Sequence, residues 1–153
     1  MSDRIAATRY VTEAETYLKE GLLWEGVVDM SPDGLVVCDW SGRICLVNMR
    51  AELIFGYSRA ELLGQKIEVL LPEDVREVHG TKHRESFRRQ PGTREMGVDL
   101  KLRGRHKDGE EFPIKVMLAP FATPIGPFIG SWIRPIHLSG GVLSSTQLFG
   151  SPE

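Results

Sequence analysis

The sequence predicts an α+β domain in which short helices cover one face of a five-stranded antiparallel sheet. Three observations carry this prediction. A β-hairpin pattern at residues 35–48 and three strand patterns after residue 94 flank a block of helices. The helices in that block are short, and each brings its own start and stop signals. Two of the late strands alternate apolar and polar residues with period two, as strands with one buried face do.

Residues 4–25 read as an amphipathic helix, with Ile5, Val11, Tyr17, Leu18, Leu22 and Trp24 set among charged residues. "MSPDG" (30–34) ends it, because Pro and Gly favour a turn. "LVVCDWSGRICLVN" (35–48) is the hairpin, two β-forming runs joined by "DWSG". Asn48 is placed to N-cap the helix "MRAELIFG", and Gly56 to end it. Ser58, with Glu61 three residues on, fits a capping box for a second short helix that stops at Gly64. "KIEVLL" is a further helical turn. Pro72 suits the first position of a longer helix that runs to "QPG" (90–92). Its acidic start (Glu73, Asp74) and basic end (Arg84, Arg88, Arg89) complement the helix dipole. Its apolar stripe carries Val75, Val78, His79, His83 and Phe87.

Strands are expected at 95–106, at "FPIKVMLAPF" and at 126–136, with "KDGEE" as the turn between the first two. Val116 and Leu118 share the apolar face of the middle one. Helices on one face of such a sheet enclose a small apolar cavity. The domain parse is a cap or dimerisation helix (1–25), a core domain (26–136) and a Gly/Ser-rich tail (137–153).

Composition narrows the function. A 153-residue chain with 41% apolar and 26% charged residues suits one ordinary globular domain. A net charge of −2 gives no general attraction to nucleic acid or anionic lipid. From Lys82 to Lys107 there are nine basic residues against three acids, a candidate docking face for an acidic partner. No apolar run approaches the roughly 20 residues that span a bilayer, and the charged N-terminus lacks a secretory core. A cytoplasmic location is expected. Cys38 and Cys45 lack CxxC spacing and are expected as free thiols near each other across the hairpin.

The run from Asp39 to Asn48 (Asp-x-x-Gly-x-Ile-x-x-x-Asn), then "FGYSRAELLG", then "RHKDGEEFP", together resemble the PAS domains over residues 26–136. PAS domains are sensory and interaction modules of signalling proteins, two-component systems among them. The resemblance implies sheet order 2-1-5-4-3 and homodimerisation through flanking helices. It also implies detection of a ligand, cofactor or partner, relayed to an output such as a histidine kinase, a cyclase or a regulator. One branch, the rhizobial oxygen-sensor kinases that hold haem, is similar around "PEDVREVH": Pro72, Glu73 and Arg76 precede His79 with the spacing of its proximal histidine. The distal arginine of that branch falls on Leu100. A family "D-I-T" run is replaced by "RPIHLSGG", with Pro135 at the Asp position. Proline cannot donate to a sheet and Gly-Gly discourages a helix, so the N-terminal helix is the expected output path.

The cavity candidates are therefore His79, Leu100, Val116, Leu118 and Trp132, the last as a face for a flat aromatic ligand. Haem iron needs a neutral imidazole, and His79 is the candidate. Zinc on His79 and His83 lacks evident further ligands. A covalent flavin adduct is excluded because residues 49–90 contain no cysteine, while noncovalent flavin stays open. Catalysis finds no support: Glu110 and Glu111 are adjacent and point to opposite strand faces, and no nucleophile elbow, P-loop or GxGxxG occurs. Three readings remain: a ligand-binding sensor, a ligand-free dimerisation module, and a haem-based gas or redox sensor.

Overall fold

The computed structural model describes residues 21–96 and 101–136. The expectations that fall on residues 1–20, on Leu100 and on the 137–153 tail lie outside them. The chain divides into two units, Met1–Ser31 and Pro32–Glu153. In the first, helix α1 (Leu22–Asp29) runs past the boundary expected near residue 25. Its Trp24 and Val27 are exposed.

The second unit holds an antiparallel sheet of six strands: β1 (Gly34–Asp39), β2 (Ile44–Val47), β3 (Arg94–Met96), β4 (Arg103–Arg105), β5 (Glu111–Thr123) and β6 (Gly126–Pro135). The order is β2-β1-β6-β5-β3, with β4 also on β5. The single strand expected at 95–106 is thus two. β3 pairs with residues 116–118 and β4 with residues 111–113, on one edge of β5. Counted as one strand, they restore the expected 2-1-5-4-3 order.

The helical block follows its local signals. Asn48 Oδ1 accepts the Ala51 amide and starts α2 (Met49–Phe55), and Gly56, with φ 74°, ends it. Ser58 and Glu61 form both halves of the capping box at α3 (Arg59–Leu62). A 3-10 turn (Ile67–Leu70) leads to α4 (Glu73–Val78), a π turn (His79–His83) and α5 (Arg84–Arg89). The π turn is a departure from the regular helix expected here. Gly80 and Thr81 are weak helix formers, and Thr81 Oγ1 donates to the Glu77 carbonyl at 2.9 Å, competing for a helical acceptor.

Val36, Ile44, Val47, Phe55, Leu62 and Leu70 are buried between one half of the sheet and these helices. Each such side chain contributes about 1.5–3 kcal/mol by leaving water. Cys38 is buried in this core and pairs in register with Ile44, while Cys45 is exposed. The two thiols occupy opposite faces, so they do not face each other across the hairpin. Among the described residues, no helix is long and apolar enough to cross a membrane.

Candidate functional site

Among the described residues, no side chain fills the space over the other half of the sheet. A cavity of about 680 Å³ lies there, walled by Val75, Val78 and Phe87 of the long helix and by Val116, Leu118, Ile129 and Ile133 of β5 and β6. Val75 and Val78 are 38% and 43% exposed, as side chains facing an open cavity are. The volume falls within the range that holds a small organic ligand.

His79 is on this wall. Its Nδ1 lies 2.9 Å from Glu68 Oε1. The Arg84 guanidinium reaches the same oxygen. Glu68 is 9% exposed. Burial alone would raise its carboxyl pKa, but the His79 hydrogen bond and the Arg84 charge outweigh it and hold the carboxyl below its ordinary value. An ionised carboxylate only accepts, so His79 carries its proton on Nδ1 when neutral, which places the ring lone pair on Nε2. Against the hairpin, the Arg84 guanidinium packs where a side chain on Gly42 would stand. Arg88 donates to the Trp40 carbonyl at 2.7 Å, and Trp40 and Phe87 rings meet with centroids 6.1 Å apart.

Of the residues chosen from sequence, His79, Val116 and Leu118 come together on the cavity wall. Trp132 does not. Ile129, Ser131 and Ile133 face the cavity, so strand alternation turns Trp132 to the outer face, where its ring lies over Gly130. Both faces of β6 are apolar, so the pattern did not decide between them. His106 is at the β4–β5 turn beside Asp108. Among the described residues, no three of His, Cys, Asp and Glu gather as a metal cluster.

Sequence reasoning missed Glu68, Arg84 and Arg94. Glu68 was detectable as the one charged residue inside the apolar turn "IEVLL". The basic stretch is also less available than its sequence suggests. Arg103 pairs with Asp74 and Glu111, Arg105 with Glu73, Lys107 with Glu61 and Arg84 with Glu68. The partners come from outside the 82–107 segment, so a count within it could not show them.

A sequence profile described as the PAS fold matches residues 22–134. The chain belongs to the PAS family. This PAS domain is 26% identical over 122 residues to the sensor protein FixL of Bradyrhizobium diazoefficiens, covering 80% of this chain and 23% of that protein. It is 32% identical over 79 residues to the oxygen sensor protein DosP of Escherichia coli, covering 51% of this chain and 10% of that one. The chain thus spans less than a quarter of either relative. Its fold is similar to the PAS domain of an HTR-like protein from Haloarcula marismortui, with a TM-score of 0.66 and 24% identity over 82% of this chain and 99% of that one.

Proposed function

We propose that this PAS domain is a sensory module that binds a small apolar or planar molecule between its long helix and its sheet. Occupancy would be relayed by rearrangement of the flanking helix or of a homodimer to an output module of a signalling protein. The observation that supports this most is the apolar cavity of about 680 Å³ with His79 in its wall. Apolar side chains supply the affinity there, and a few polar groups fix the orientation. A ligand-free interaction module would fill that space with side chains. Native mass spectrometry tests the proposal: a bound small molecule is expected with the wild type and lost with Val116→Trp, which fills the cavity. Bare protein in both, after exposure to cell extract, would sink it. For the relay, sedimentation should show a dimer that Leu18→Glu weakens.

A second reading, haem held by His79, is favoured by the Glu68 contact. A histidine that ligates a metal typically gives its other ring N–H to a carboxylate or carbonyl, which fixes tautomer and orientation. His79 would hold the iron, and Val116 and Leu118 would supply apolar wall for the macrocycle. Haem would supply a reversible site for a diatomic gas or one electron. A relative similar over half of the chain is named an oxygen sensor, in keeping with this. A Soret band that disappears in His79→Ala is the expected result. Absence of that band after reconstitution with hemin would remove the haem reading and leave the first one standing.

A further inference from the structure

Among the described residues, the cavity wall carries an arginine that no carboxylate of the wall pairs with. Arg94 pairs with Leu118 in the β3–β5 register and lines the cavity. Its neighbour Glu95 lies 3.9 Å from Lys115. The Arg94 guanidinium lies over the Phe87 ring, 4.7 Å from its centroid. Its Nε is buried and, among the described residues, has no hydrogen-bond partner. A guanidinium donates in a planar fork that fits a carboxylate or phosphate, and a buried N–H without an acceptor is costly.

Among the described residues, the acids of the wall are already engaged. Asp39 accepts from the Ser41 amide, the Ser41 hydroxyl and the Arg43 amide. Asp74 holds Arg103, and Glu95 holds Lys115. Behind the wall, Glu68 holds His79 and Arg84. No described carboxylate is paired with Arg94, and the surfaces beside it, Phe87 and Leu118, are apolar.

We propose that the cavity selects an amphipathic organic anion. Its apolar or aromatic body lies against Val116, Leu118 and Phe87, and its acidic group accepts from Arg94. This rests on the reading of the cavity as a ligand site and names the class of ligand.

The test uses two fluorescent probes with the same aromatic body. 1-Anilinonaphthalene-8-sulfonate carries an anion, and N-phenyl-1-naphthylamine does not. Each is titrated into the full chain, into Arg94→Met, which keeps an apolar contact with Phe87, into Arg94→Lys, and into Val116→Trp. The wild type should bind the anionic probe more tightly. Arg94→Met should weaken the anionic probe by about tenfold or more while the neutral probe changes by less than about twofold, as loss of a charge-assisted hydrogen bond predicts. Arg94→Lys should recover part of the loss. An unchanged near-UV circular dichroism spectrum shows that the variant is folded. If Val116→Trp abolishes both probes but Arg94→Met does not distinguish them, the anion inference is overturned and the cavity reading survives. If Val116→Trp leaves both probes bound, the cavity is not the site and both fall.

Discussion

His79 and Arg84, five residues apart on one helix, reach the same oxygen of Glu68. A regular α-helix advances about 100° per residue, so it would set these two side chains about 140° apart. The π turn from His79 to His83, with more residues per turn, reduces that offset. Short π segments occur often at functional sites. Here the segment lets one buried carboxylate orient a wall histidine and anchor the arginine that packs on the hairpin.

Glu68→Gln keeps the shape of the side chain and removes the charge that both groups use. Arg84 is then left 15% exposed without its anion. A loss of about 1.5–3 kcal/mol is expected, the range for a hydrogen bond to a charged group. Urea unfolding measures it. An unchanged midpoint would mean that solvent already screens the pair.

The same carboxylate makes stability depend on pH. The folded pKa of Glu68 is depressed from its ordinary value of 4.5. A group depressed in the folded state contributes its stabilisation fully above the unfolded pKa and loses it as pH falls through the folded one. The wild type should therefore lose stability below about pH 4.5 more steeply than Glu68→Gln. Parallel urea midpoints for the two proteins from neutral pH down to that range would rule this out.

The two thiols should separate in reactivity. Burial pushes the Cys38 thiol up to about 12, so almost no thiolate forms at neutral pH. Burial also raises Cys45, but that side chain is exposed. Ellman's reagent at mildly alkaline pH should titrate Cys45 in the folded protein and Cys38 only after unfolding. Equal rates at both sites would mean that the core opens readily.

Asn48 links the hairpin to the first helix of the block. Fully buried, it accepts the Leu35 and Ala51 amides at 2.8 and 2.9 Å and donates to the Asp33 carbonyl at 3.0 Å. Asn48→Ala should cost about 2–4 kcal/mol, since a cap and a buried acceptor are lost together. Asn48→Asp keeps the acceptor and should fall between the two. Thermal melts provide the order.

Much of this domain was legible without coordinates. The hairpin, the Asn48 cap, the Ser58–Glu61 box, the Gly56 stop and the alternation in β5 are each written within a few adjacent residues. His79, Val116 and Leu118 reached the cavity wall because helix and strand periodicity specify a face.

What stayed hidden depends on contacts between distant segments. Trp132 lay on the wrong face because both sides of β6 are apolar, and only pairing with β5 decides which side meets the helices. The basic stretch looked unbalanced because its acids enter from Glu61, Glu73, Asp74 and Glu111. The π turn, and with it the meeting of His79 and Arg84 at Glu68, departs from the helical period used to read that stripe. Local sequence thus determined which elements form and which residues they present. Tertiary packing decided which sheet face was inside and which charges were already satisfied, because burial and ion pairing are properties of residues far apart in the chain.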